Sequence, residues 1–356
     1  MFVQPIHRKA RLLLIGTLMT ALFSAASMNV AAQTGTHQYD TLAVPIFGYD
    51  PTYGVILGGV LFDYPVDHPL IKSEGPKRYR SVQGAAAWGP FMQFGMEQRV
   101  EQFTPHWDYR VRAEFDNFFS PYYTQSDADY DKVERYRAGL EAELAHHLTS
   151  LASPALSAWQ VATQLTAEQE YREDSGTDRR LYPTLYLRFD TRTPQLAPRQ
   201  GQWFETALKV QPTALDTRSL DSTGWHLSND LRHFFGVTAR SSLAMRVTHE
   251  QADGNAFEVA VGGADRLRGY PSERFKGTTL VAGQLEWRYP LFGILDGVTF
   301  VEGGWLDSTE QSRTLGTAGS GLRMRLSPDG QYLLRLDLAA SDRGDAQFYI
   351  NFNQAF

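Results

Sequence analysis

The sequence has no cysteine in its 356 residues, which excludes a disulfide scaffold. Beyond the N-terminus no stretch holds eighteen consecutive apolar residues, so no transmembrane helix is expected there. Basic excess is missing too: 34 Lys and Arg stand against 40 Asp and Glu. That balance does not suit nucleic acid, which is not expected as a partner. His106, His146, His147, His226, His233 and His249 are present, but none sits in a nucleophile motif and Gly-x-Ser-x-Gly does not occur. The expectation is no enzyme and no catalytic residues, with a barrel phospholipase as the minor alternative. No metal or other cofactor is expected either. The acidic run Asp127-Ala-Asp-Tyr-Asp131 offers hard oxygen ligands but lacks the glycine and distant glutamate of a calcium loop.

What is present begins with a secretory signal. His7, Arg8, Lys9 and Arg11 form a charged region, Leu12 to about Ala26 an apolar one, and Val30-Ala31-Ala32 a small-residue cleavage site. The expected organisation is a signal peptide at 1–32, a short periplasmic segment at 33–41 and one β-domain at 42–356; an uncleaved anchor is the alternative. Removing 1–32 takes three basic residues and no acid, leaving 31 against 40, a charge of about −9.

Period-two alternation recurs along the rest. Trp107, Tyr109, Val111, Ala113 and Phe115 alternate with Asp108, Arg110, Arg112, Glu114 and Asp116. Leu322, Met324 and Leu326 alternate with Arg323 and Arg325, and Tyr332, Leu334, Leu336 and Leu338 with Arg335 and Asp337. So dense a charged face is costly in a dry core but suits a hydrated lumen. Candidate strands are 42–49, 54–64, 78–89, 91–102, 107–117, 134–148, 155–170, 180–190, 201–211, 223–236, 238–249, 277–290, 296–305, 313–327, 330–340 and 346–356. These sixteen predict an all-β fold, a transmembrane antiparallel β-barrel. Only a closed barrel satisfies every strand edge in hydrocarbon. Long outer connections are expected at 118–133, 171–179, 212–222 and about 250–276. Inner connections are mostly tight, with a Pro-rich link at 65–77 as the exception. Phe118, Phe119, Tyr122 and Tyr123 suit an interfacial aromatic girdle.

The last strand sets Phe348, Ile350, Phe352 and Phe356 on one face and Tyr349, Asn351, Asn353 and Ala355 on the other, as a closing strand in lipid requires. Pro45 in the first strand lacks an N–H and weakens pairing across the closure, unless it marks a bulge.

In order and spacing, several motifs resemble the BamA/TamA and two-partner-secretion superfamily, whose barrel is known as the bacterial surface antigen domain. They are Pro45-Ile-Phe-Gly-Tyr-Asp-Pro-Thr-Tyr-Gly54, Asp190-Thr-Arg-Thr-Pro194, Pro198-Arg-Gln-Gly201, Gly262-Gly-Ala-Asp-Arg-Leu-Arg-Gly-Tyr270, Gly283-Gln-Leu-Glu-Trp-Arg288 and Phe300-Val-Glu-Gly-Gly-Trp305. The resemblance implies that the long outer loop, about 250–276, folds into the lumen. There Arg268, followed by Gly269 and Tyr270, meets Glu286 or Glu302 on the wall. Glu286 shares an inward face with Gln284 and Arg288. Glu302 shares the face of Phe300, and stands one methylene longer than the family's usual aspartate.

The resemblance further implies an integral outer-membrane protein that inserts or translocates other proteins. The weak first–last seam would involve Pro45, Gly48, Phe348, Ile350, Phe352 and Phe356. Expected partners are outer-membrane lipid, client outer-membrane proteins or a periplasmic partner, and the barrel-assembly machinery acting on the C-terminal strand. The family's periplasmic POTRA domains are not recognisable. A narrow, loop-plugged pore and a surface-exposed structural antigen are the alternatives.

Overall fold

The structure is a computed structural model that describes residues 39–356 except 66–76, 89–92, 105, 124–129, 149–157, 174, 195–196, 219, 309–310, 327–332 and 353. The expected signal peptide, most of 33–41, the body of the link 65–77 and most of the acidic run 127–131 lie outside the described residues.

Among the described residues eighteen strands follow one another. They are β1 (Tyr39–Asp50), β2 (Gly54–Pro65), β3 (Lys77–Trp88), β4 (Gln93–Phe103), β5 (Trp107–Tyr123) and β6 (Tyr130–His147). Next come β7 (Trp159–Arg172), β8 (Gly176–Asp190), β9 (Gly201–Gln211), β10 (Gly224–Gly236), β11 (Ser242–Ala252) and β12 (Val259–Val261). The chain continues with β13 (Phe275–Gly277), β14 (Thr279–Pro290), β15 (Leu295–Asp307), β16 (Arg313–Arg325), β17 (Leu333–Ser341) and β18 (Ala346–Phe352). Sixteen close into one antiparallel barrel, while β12 and β13 form a small hairpin within the connection from β11 to β14.

The sixteen-strand expectation holds, and the alternation explains why. On β14, Trp287 is 53 % exposed while its neighbour Glu286 is fully buried. Apolar side chains face out and ionised ones face in, the reverse of a water-soluble sandwich and the pattern of a barrel in lipid. On the wall built by β4 to β9, facing side chains neutralise one another. Arg112 lies 2.8 Å from Glu97 and 2.7 Å from Glu114, and Arg188 lies 2.7 Å from both Glu143 and Glu205.

Three expectations change. The outer connection 118–133 shrinks because β5 runs to Tyr123 and β6 starts at Tyr130, paired throughout. The connection 171–179 likewise shortens to the gap between Arg172 and Gly176. In both, backbone pairing continues past the point where alternation stops being visible.

The third change is at the end of the chain. β18 stops at Phe352 rather than 356, and Phe356 leaves the outward face of Phe348. It packs inside the barrel with Phe234, Ala244 and Ala355. Two wall arginines hold this turn inward. Arg323 Nε donates to Gln354 Oε1 at 3.0 Å, and Arg288 Nη2 donates to the Phe356 carbonyl at 3.0 Å. Period-two reasoning assumes that the strand continues, and here buried donors take the Gln354 side chain and the Phe356 carbonyl instead.

Candidate functional site

The site lies where the loop between β11 and β14 enters the lumen. Arg268 is completely buried. Its backbone N–H donates to Glu302 Oε2 at 2.7 Å and its Nε to Glu302 Oε1 at 2.7 Å. Nη1 donates to Asp337 Oδ2 at 2.8 Å. Nη2 lies 2.7 Å from Glu286 Oε1, an ion contact whose angle does not make a directed hydrogen bond. The guanidinium lies 3.5 Å from the ring centroid of Phe300. One cation thus meets three carboxylates and an aromatic ring, and the planar fork of arginine suits several acceptors at once.

Each carboxylate also has a donor of its own on the wall. Glu286 accepts from Arg288 Nε at 2.9 Å, Asp337 from Arg323 Nη1 at 2.5 Å, and Glu302 from Gln284 Nε2 at 2.9 Å. Removing Arg268 therefore orphans no acid. The loop is a key inserted between wall carboxylates that each keep a donor without it, so the large penalty for an unpaired buried acid is avoided.

The backbone is shaped for this entry. Leu267 is buried with φ at 54°, a left-handed conformation that costs a side-chain-bearing residue on the order of 1–3 kcal/mol. Gly269 has φ at 103°, and a Cβ there would lie 3.1 Å from the backbone of Ala340 and Ser341, so glycine lets the loop touch β17. Burial, together with its hydrogen bond to Asp342, pushes the Tyr270 phenol up to about 12. It stays protonated and donates.

The loop also spans the barrel closure. Gly269 N–H donates to Tyr349 Oη at 3.1 Å, and the Tyr349 hydroxyl donates to the Tyr270 carbonyl at 3.1 Å. Three residues on, Ser272 N–H donates to Thr52 Oγ1 at 2.9 Å, in the turn between β1 and β2. The loop thus binds β18 on one side and the end of β1 on the other. Tyr349→Phe removes both loop hydrogen bonds. A loss of about 1–2 kcal/mol is expected, read as several-fold faster protease nicking within 253–278 in vesicle-embedded protein.

At the closure itself, Tyr49↔Ile350 is the one registered pair between β1 and β18 among the described residues. Other barrel neighbours are registered over at least seven residues. Pro45 pairs with Gly59 on the β2 side and, among the described residues, has no registered partner in β18. A Cβ on Gly48 would lie 2.7 Å from the Ile350 carbonyl, so glycine permits the one close approach. On the outside, rings bridge the join: Phe47 to Phe352 at 5.4 Å and Tyr49 to Phe348 at 6.1 Å. Of the residues expected at the seam, Pro45, Gly48, Phe348, Ile350 and Phe352 lie there, and Phe356 does not.

Sequence reading placed Arg268, Gly269, Tyr270, Glu286, Phe300 and Glu302 together, and the structure gathers all six. It missed Asp337 and Tyr349. Both sit on inward faces of their segments, but nothing local marks which inward residues meet a loop from some 70 positions away.

Comparison with known proteins adds the family. Residues 96–356 match the model of the Omp85 superfamily domain. No curated protein matches the sequence. Among solved structures, BamA from Haemophilus ducreyi lacking POTRA domains 1–3 is 10% identical with TM-score 0.60, covering 90% of this chain and 71% of that one. CdiB from Acinetobacter baumannii is 10% identical with TM-score 0.59, covering 88% and 59%. CdiB from Escherichia coli is 14% identical with TM-score 0.62, covering 91% and 64%. The chain thus spans less than two thirds of either CdiB chain, and identities this low show a shared fold. The family match over well over half of the sequence, on a closed barrel with an apolar exterior, shows that the chain belongs to the Omp85 superfamily of outer-membrane barrels.

Proposed function

We propose that this barrel inserts other proteins into the outer membrane, or translocates them across it, by admitting a client strand at the seam between β1 and β18. The observation that carries this reading is the single registered pair, Tyr49↔Ile350. Among the described residues no other residue of β1 is registered with β18, and exposed edge groups template the addition of a strand. The lumen loop holds the seam between events through Tyr349 and Thr52. In this reading residues 1–32 export the chain, an unidentified periplasmic partner delivers clients, and the barrel-assembly machinery receives the C-terminal strand. The role needs no catalytic group and no cofactor.

The absence of native cysteine makes the test clean. Residues directly opposite across an antiparallel pair have Cα atoms about 4.5–5.5 Å apart, within disulfide range. Tyr49→Cys with Ile350→Cys is therefore expected to cross-link the seam. In liposomes the reduced double variant should speed the folding of a second outer-membrane barrel, and the oxidised one should not. Equal acceleration in both states sinks the reading.

The second reading, a narrow pore, is supported by a cavity of about 330 Å³ against β2–β6, lined by Gln83, Glu97, Arg112, Glu114, Asp116 and Arg137 among others. It predicts steady single-channel conductance that the seam disulfide leaves unchanged.

A further inference from the structure

The lipid-facing wall carries a polar island that neither the lumen lock nor the seam uses. On β10 and β11 the inward positions include Asp230, Arg232 and Arg246, joined as ion pairs, so the alternate positions Asn229 and His249 face the membrane. These two stand directly opposite each other, with Thr206 of β9 next in the same row. Asn229 Nδ2 donates to His249 Nδ1 at 3.2 Å. Around them Leu208, Leu231, Val247 and Val281 are all exposed, as an apolar exterior requires.

Register places the island within the span. One outward-facing row runs from Trp305, beside the outer end of β15, through Val281 to His249, Asn229 and Thr206. It continues across β8, β7 and β6 to Trp107, which opens β5 at the inner end. Tilted strands carry such a row obliquely across the membrane, and tryptophan marks the two interfaces. The island lies between those markers, at the depth of the acyl chains.

An amide NH2 only donates, so His249 Nδ1 accepts and the ring hydrogen sits on Nε2. The pair keeps a donor, Nε2–H, and an acceptor, Asn229 Oδ1, and among the described residues no other bond reaches either. Both side chains are half-buried rather than enclosed. Polar groups without a partner are costly in hydrocarbon, and acyl chains offer none. A partner must therefore itself span the membrane. A face that sets one donor beside one acceptor complements itself under two-fold symmetry.

We infer that two copies of this barrel meet at this face, with Nε2–H of each His249 donating to Asn229 Oδ1 of the other. Asn and His side chains form such bridges between membrane-spanning segments. β9 and β10 lie across the barrel from β1 and β18, so pairing here leaves both seams free.

The test uses the full-length barrel in liposomes. With no native cysteine, Val237→Cys, in the exposed turn between β10 and β11, takes a donor or an acceptor dye. Energy transfer is followed as added lipid dilutes the protein, and transfer above the random-encounter level is expected. Asn229→Leu with His249→Leu, which puts apolar side chains at both positions, should weaken association by about tenfold or more and keep the heat-modifiable folded band. Val247→Trp adds bulk beside the pair and leaves the pair in place. It should weaken association as well, and it decides the matter if the double variant does not fold. Transfer no higher than random at every dilution, or transfer that the folded double variant leaves unchanged, overturns the proposal.

Discussion

Asp337→Ala is expected to destabilise the barrel wall more than any substitution in the lumen loop. Asp337 accepts from Arg268 at 2.8 Å and from Arg323 at 2.5 Å, and lies 3.6 Å from Arg335 Nε. Arg323 and Arg335 face each other directly across β16 and β17, and like charges in that position are unfavourable. Both are buried, and Nη2 of Arg323 and Nε and Nη1 of Arg335 already have no hydrogen-bond acceptor. Taking away the shared carboxylate leaves three buried guanidiniums with one acceptor fewer. Breaking a buried ion pair from one side costs about 3–5 kcal/mol, and here one deletion breaks at least two. Urea titration of vesicle-embedded protein, followed by tryptophan emission and by the heat-modifiable band, should show a loss of at least about 4 kcal/mol, or no assembled barrel. Asp337→Asn keeps an acceptor and should recover a small part. A midpoint within about 1 kcal/mol of wild type would show that the wall does not depend on this carboxylate.

Arg268→Ala should have the opposite profile, with a large effect on the loop and a smaller one on the wall. The substitution removes the cation from three acids and from the face of Phe300, yet each acid keeps its own donor. The loop loses about 3 kcal/mol of anchoring. That corresponds to roughly a hundredfold larger population of the withdrawn form, which protease cleavage reads when opening is fast. Cleavage within 253–278 should therefore rise by about that factor while the folded band persists. Arg268→Lys should not restore protection, because a compact ammonium cannot reach Glu302, Glu286 and Asp337 together or lie flat on Phe300. Full protection in Arg268→Lys would mean that charge alone, and not the fork, fixes the loop.

Much of this architecture was legible in the sequence because lipid and water impose a period of two on every strand. The alternation in Trp107–Asp116 and in Gly283–Arg288 fixed which side chains face inward before any pairing was known. Family resemblance then located the loop arginine and two of its three acids. The rest depends on relations that local pattern does not carry. Asp337 looks like any inward carboxylate until the loop is placed beside it. Tyr349 looks like the polar side of a closing strand, yet its hydroxyl is the loop's attachment to β18. Phe356 continues the alternation perfectly on paper, but Arg288 and Arg323 pull its segment across the lumen. In each case the deciding partner is distant in sequence, and the register that unites them emerges only on closure.

The position of the lone Tyr49↔Ile350 pair gives the join a direction. β1 rises from Tyr39 to Asp50, so this pair and the Ser272–Thr52 contact both sit towards the end bearing the longest loop. The stretch from Tyr39 to Ile46, for which no pair with β18 is registered among the described residues, faces the opposite end. Separation has least to break from below, so in the proposed function a client strand enters there and the knot at the top comes undone last.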